Sequence, residues 1–292
     1  MIKSFLKYLE YERRYSKHTI TSYQNDLLQF QTFLKKNFQT EDLKEANHGI
    51  LRSWLVQLSE QEVKSTSINR KIASLRSFFK YLLKHEHIAK DPTWKLKTLK
   101  TPRKIPHFVD QEEMNTLLDN REIQDTMAFH REVLIIEMLY GTGIRLSELI
   151  TLKHGDINTH QQTIKVLGKR NKERIIPFSQ HLHQVIQEYI RVKKRDQAEQ
   201  NHDYLLVTNA GKQLYPMFVQ RLTKKYFDNA NVDKKSPHVL RHTFATHMLN
   251  NGADLNAVKE LLGHTSLAAT QVYTHNSMDK LKKVFDQAHP KA

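Results

Sequence analysis

Six residues between positions 145 and 273 carry groups suited to handling a phosphate. His238 and Arg241 are three apart, so they share one face of a helix. Arg145 follows Gly141-Thr142-Gly143 at the start of a short helical stretch. There, backbone N–H groups and a guanidinium can bind one phosphate together. Lys169 sits in Gly168-Lys169-Arg170-Asn171-Lys172, a basic tip between two strand-like segments, from which a long side chain can reach into a cleft. Gly263-His264 follows Leu261-Leu262, and Tyr273 comes nine residues later.

These are cations and hydrogen-bond donors, with no accompanying cluster of carboxylates. Phosphoryl transfer at a DNA strand needs such parts. Two arginines can neutralise the non-bridging oxygens of a pentacoordinate transition state. A nucleophile must attack in line, and an acid must protonate the leaving oxygen. A tyrosine hydroxyl can serve as nucleophile if nearby cations offset its pKa near 10. Each residue alone also has a plain structural reading: Arg145 can pair with Glu148, and a tyrosine is often core. Other chemistries lack their signatures. There is no GxxxxGK[ST] loop and no G-x-S-x-G elbow. His242 and His247 are five apart and miss the i, i+4 spacing of a zinc helix, so no metal site is expected.

The elements that must carry these residues follow from periodicity. The chain begins with helices: Ile2–Arg13, a second from a Ser16 cap to about Lys35, and a third over His48–Ser59. In a fourth, capped by Ser65, Thr66 or Ser67, residues Ile68, Ile72, Leu75, Phe79 and Leu82 form one apolar stripe. Arg70, Arg76, Lys80 and Lys84 occupy the opposite face. This predicts a four-helix N-terminal domain over about 1–88. Pro92, Pro102 and Pro106 then mark an extended linker over 89–105. The second domain, 106–292, reads as α+β. It has a helix after Asp110, an apolar helix over Val133–Tyr140 and a short helix over Arg145–Leu152. Thr163–Leu167 and Arg174–Phe178 read as a hairpin, with Asp156–Asn158 as a further strand. Helices follow at about 179–195, 216–230, 238–251, 254–262 and 277–287. The fold class is therefore mainly α with a small β-sheet.

Charge locates a partner. The 292 residues hold 46 Lys and Arg against 31 Asp and Glu, a formal net charge of +15. Residues 1–63 are close to neutral, whereas 64–104 hold twelve basic residues against Glu86 and Asp91. A concentrated basic block points to a polyanion, most simply nucleic acid. Lys100 and Arg103 extend the block beyond the fourth helix. The absence of cysteine excludes disulfides, thiolate metal sites and thiol nucleophiles. No apolar run approaches a membrane span and the N-terminus has no signal-like apolar region, so a soluble, cytoplasmic protein is expected.

Gly143-Ile144-Arg145-Leu146-Ser147-Glu148-Leu149, Gly168-Lys169, His238-Val239-Leu240-Arg241-His242, Leu262-Gly263-His264 and Tyr273-Thr274-His275 resemble, in order and spacing, the motifs of the tyrosine site-specific recombinases (phage-integrase family). The likeness covers nearly the whole chain. The short two-domain form is similar to the bacterial Xer type, and the closing His289-Pro290-Lys291-Ala292 and Asn201-His202-Asp203 are closer to its XerC branch than to its XerD branch. The resemblance implies a SAM-like, core-binding N-terminal domain and a catalytic domain. It implies that Tyr273 is the nucleophile and forms a 3′-phosphotyrosyl bond. Arg145 and Arg241 grip the scissile phosphate, Lys169 protonates the leaving 5′ oxygen, His238 assists proton transfer at Tyr273, and His264 hydrogen-bonds the phosphate. The family commonly has Gly after the hairpin lysine, where this chain has Arg170, so Lys172 is a rival for the role of Lys169.

Transesterification stores the phosphodiester energy in the tyrosyl–DNA bond, so no cofactor is expected. The resemblance further implies strand exchange through a four-way junction. Its expected substrate is double-stranded DNA with a short inverted-repeat site, gripped in a C-shaped clamp by both domains. A homologous partner recombinase would complete a cyclic tetramer that resolves chromosome dimers at cell division. The segment after Tyr273, with Leu281, Val284 and Phe285 on one face, would dock into a neighbouring subunit, or in cis. The alternatives are a transposon or phage integrase with the same chemistry, and a non-catalytic DNA-binding regulator. The DNA-binding candidates are Arg70, Arg76, Lys80, Lys84, Lys100 and Arg103.

Overall fold

The computed structural model describes residues 1–102, 108–119, 123–168, 173–196, 203–228, 235–263 and 275–290, with backbone alone for 275–280. Two compact units emerge, Met1–Lys104 and Ile105–Ala292. Among the described residues, no helix is long and apolar enough to cross a membrane.

The first unit is helical. α1 (Ile2–Lys7) continues into a π-helical turn over Tyr8–Glu12. α2 (Lys17–Phe38) starts at Ser16, whose hydroxyl accepts from Thr19 N–H. α3 (His48–Glu60) starts at Asn47, whose side chain accepts from Ile50 N–H. α4 spans Ser65–Lys84, but its N-cap is Lys64, with no side-chain cap. The expected stripe is the buried one: Ile68, Ile72, Leu75, Phe79 and Leu82 join Phe5, Leu27, Phe30, Leu51 and Trp54 in one core. That core also holds a charge. Asp26, 1% exposed, accepts from Lys71 Nζ at 3.0 Å and the Ser74 hydroxyl at 2.7 Å, and it pairs with Arg70. A buried carboxylate persists because such partners satisfy its lone pairs.

Residues 89–100 are not a free extended segment. Thr93 and Leu96 are buried in the first unit, and Arg76 donates to Leu96 O. Asn69 clasps Leu99 from both sides, accepting its N–H at 2.7 Å and donating to its carbonyl at 2.9 Å. Side chains of α4 fasten the segment down.

The second unit surrounds α6 (Met127–Thr142), which is buried nearly throughout. α5 (Gln111–Asp119) precedes it, and the four-residue α7 (Leu146–Leu149) follows. β1 (Ile157–Asn158), β2 (Thr163–Leu167) and β3 (Glu173–Pro177) form one antiparallel sheet in that order, with Leu167 opposite Glu173. Then come α8 (Gln180–Asp196), α9 (Pro216–Tyr226), α10 (Pro237–Asn250), α11 (Leu255–Leu262) and α12 (His275–Ala288).

α10 is anchored by a buried relay. His247 Nε2 donates to Val109 O at 2.8 Å, so its Nδ1 accepts from the Tyr140 hydroxyl at 3.0 Å. Both ring nitrogens are thereby used, which leaves His247 nothing for a metal. The apolar stripe of α12 covers its own unit: Leu281, Phe285 and Ala288 are buried in that core.

Candidate active site

Two glycines shape the site. Gly143 ends α6 with φ +59°, and a Cβ there would stand 2.6 Å from Phe244. Gly263 ends α11 with φ +62°, and a Cβ would press on Arg174 Cδ at 3.0 Å. Only glycine adopts this backbone without strain while letting side chains come so close.

Three arginines converge on the end of α11. Its last carbonyls lack intrahelical partners and carry the negative end of the helix dipole. Arg174 Nε donates to Leu261 O at 3.0 Å, Arg241 Nη2 to Leu262 O at 2.5 Å, and Arg145 Nη2 to Gly263 O at 2.9 Å. Three successive backbone oxygens therefore rack three guanidiniums in a row. Arg241 also donates to Gly143 O. The left-handed cap of α6 and the last residue of α11 thus present the oxygens that fix Arg241.

One buried carboxylate joins the cluster. Glu148 takes Arg174 in a fork, at 2.6 and 2.8 Å, and accepts from Arg145 Nη1 and Arg145 N–H, each at 2.8 Å. Burial alone pushes its carboxyl up, but Arg174 and Arg145 together hold it below the usual carboxylate range. Burial, and then repulsion from Arg145 and Arg174, push Arg241 down to about 10, so it stays charged at neutral pH. Three guanidiniums against one carboxylate leave a net charge of +2 in a mostly desolvated site. Arg145 is the more open member, its side chain 20% exposed against 5% for Arg174. Such an arrangement offers fixed positive charge to an anion without reorganisation.

His238 lies in the first turn of α10, exposed, one turn ahead of Arg241. Lys169, Lys172, His264 and Tyr273 lie outside the described residues. In sequence, His264 follows Gly263, and Lys169 to Lys172 lie between β2 and the strand that carries Arg174. Of the expected residues, the structure brings Arg145 and Arg241 together. Sequence reasoning missed Arg174, which read as the start of a strand. Its signal was present: a basic residue two positions beyond the hairpin tip, on the buried side of a strand.

The candidate DNA-contacting cations divide. Lys80, Lys84 and Lys100 are exposed. Arg70 and Arg76 are exposed too, yet Arg70 is engaged with Asp26 and Ser22 O, and Arg76 with Leu96 O. Arg103 lies outside the described residues. Among the described residues, Asp125, His130 and Glu188 have ligand spacing for a cation, but Arg191 and Arg195 already engage the carboxylates.

Comparison with known proteins agrees with this picture. Residues 107–280 match the phage integrase family, and residues 2–86 match the phage integrase N-terminal SAM-like domain. The chain is 37% identical to the tyrosine recombinase XerC of Chlorobaculum parvum, over 100% of this chain and 94% of that protein. It is 40% identical to XerC of Staphylococcus saprophyticus, over 99% and 97%. In fold it is similar to the XerH site-specific recombinase in a post-cleavage complex with a palindromic difH substrate, with TM-score 0.73, 23% identity, and coverage of 97% of this chain and 83% of that one. It is also similar to the Tn1549 transposon integrase in complex with transposon right-end DNA, with TM-score 0.72, 19% identity, and coverage of 97% and 98%. With both units matched and XerC relatives alike along the full length, the chain belongs to the phage integrase family, as a XerC-type tyrosine recombinase that carries out site-specific recombination by cutting and rejoining DNA through a tyrosine intermediate.

Proposed function

We propose that Tyr273 is the nucleophile and that the arginine rack holds the phosphate it attacks. The Tyr273 oxygen forms a bond to phosphorus, and the bond from phosphorus to the 5′ oxygen breaks. The products are a 3′-phosphotyrosyl linkage and a free 5′-hydroxyl. Arg145 and Arg241 neutralise the non-bridging oxygens. Lys169 delivers a proton to the leaving oxygen, with Lys172 as its rival in the same loop. His238 accepts the tyrosine proton and returns it on religation, and His264 donates a hydrogen bond to the phosphate. The single observation that supports this most is the convergence of Arg145 and Arg241 on adjacent carbonyls, from which the chain runs directly into His264 and Tyr273.

Repeating the step in the opposite sense on a second strand exchanges the partners. The substrate in this reading is a short inverted-repeat site in duplex DNA, bound by two recombinase subunits. A homologous partner recombinase completes a cyclic tetramer on two sites, through a four-way junction. Resolution of chromosome dimers at cell division, in the bacterial cytoplasm and at the nucleoid, is the role that the XerC likeness favours. Lys80, Lys84 and Lys100 serve the phosphate backbone in this reading.

A nicked duplex that traps the covalent intermediate tests the chemistry. The wild-type protein should give a DNA-linked band in a denaturing gel, with or without EDTA. A Tyr273→Phe protein that still forms the band would overturn the assignment of the nucleophile. Loss of the band in EDTA would point instead to a metal nuclease.

A further inference from the structure

Trp94 is 72% exposed, an unusual state for the largest apolar side chain. It is not a loose side chain on a loose segment. The Thr93 N–H and hydroxyl both donate to Asp91 Oδ1, at 2.7 and 2.6 Å. Leu96 N–H closes a turn on Thr93 O at 3.0 Å, with Trp94 and Lys95 at its tip. Both feet of the turn are buried, Thr93 at 1% and Leu96 at 5% exposed, and Arg76 fastens Leu96 O to α4. The turn therefore holds an indole out into solvent at a fixed place.

The surroundings are cationic. Lys95 Nζ lies 4.6 Å over the indole, and Lys90, Lys97 and Lys100 are exposed on either side in sequence. An apolar plate among lysines suits a surface that is itself apolar between phosphates. The deoxyribose C–H faces and thymine methyl groups of a duplex groove are such a surface. A protein partner for the same indole would need carboxylates to match the lysines.

We infer that Trp94 is a non-ionic DNA contact, its indole lying against the sugar C–H faces and thymine methyl groups of a duplex whose phosphates are neutralised by the flanking lysines. This rests on the reading of residues 64–104 as a DNA-binding surface. It goes beyond that reading in assigning an aromatic contact whose contribution does not depend on counterion release.

The test uses the full chain and a short duplex of mixed sequence. Trp94 and Trp54 are the two tryptophans, and Trp54 is 3% exposed, so iodide reaches Trp94 alone in the free protein. DNA should quench that accessible emission and shield it from iodide. Trp94→Ala should weaken binding about five- to tenfold by the same factor at every salt concentration, while Trp94→Phe keeps most of the affinity. Replacing Lys95, Lys97 and Lys100 together by alanine should instead flatten the dependence of log K on log salt. Unchanged affinity of Trp94→Ala, with the lysine variant flattened as expected, overturns the proposal and leaves the surface reading intact. A lysine variant with the wild-type slope overturns both. Shielding of Trp94 from iodide before DNA is added overturns the proposal as well, because the indole is then already covered.

Discussion

α4 and the end of α11 both gather positive charge, and they use it in opposite ways. On α4, the cations proposed to meet DNA are those left over. Lys71 is buried on Asp26, and Arg70 and Arg76 are tied to Asp26 and Leu96 O, while Lys80 and Lys84 stand in solvent. At the end of α11, three arginines are pinned. Arg174, Arg241 and Arg145 each hold one of three successive carbonyls, and Glu148 links two of them. Free lysines suit a polyanion whose phosphates must be found at many registers, because each contact is a released counterion rather than a fixed geometry. Pinned arginines suit a single phosphate whose charge changes during a reaction, because nothing need reorganise at that moment.

The sharpest way to break this contrast is Arg241→Ala. Cleavage under single turnover should fall about 10³-fold, while DNA affinity changes little. Equal losses in both would show that the pinned site works mainly by binding. Arg174→Met comes next. Glu148 keeps only Arg145 as partner in that variant and draws off its charge, so cleavage should fall about 10- to 100-fold. In a Glu148→Gln background, the same replacement should cost distinctly less. A methylphosphonate at the scissile position, which lacks one negative charge, should also shrink the defect. A loss of equal size in all three settings would mean that Arg174 serves folding alone.

In the first unit, Asp26→Ala strands a buried lysine and should destabilise the protein by about 3 kcal/mol, read from denaturant unfolding. Cleavage at saturating DNA should hold. The smallest effect belongs to the exposed lysines of α4, although the Lys84 ammonium also lies 5.6 Å over the Tyr8 ring. Lys80→Ala with Lys84→Ala should lower the salt slope of binding by about 0.9 for each phosphate left without its lysine, and the rate of the bound complex should stay the same.

The contrast also shows what a sequence can and cannot disclose. The α4 stripe was legible because a helix repeats it locally, and all five of its expected residues are buried. The Gly143–Arg145 and Gly263–His264 motifs were legible because a helix ending in glycine has a local signature. Arg174 was not, since its partners Glu148 and Leu261 lie 26 and 87 residues away. The same holds for Asp26, whose cations come from a helix more than 40 residues later, and for the fastening of Leu99 by Asn69. Periodicity marks the face a residue occupies, and long-range pairing decides whether a charge on that face is free or spent. Which subunit the stripe of α12 serves was undecidable for a related reason, because one apolar stripe fits its own unit or another's.

The central claim is that one tyrosine attacks a phosphate held by pinned arginines. The most direct measurement is to trap the covalent DNA adduct of the wild-type protein, digest it, and locate the nucleotide-bearing residue by mass spectrometry. A single modified peptide is expected, with the 3′-phosphate on Tyr273. A phosphate on any other residue, such as Tyr204, Tyr215 or Tyr226 of the same unit, would contradict it.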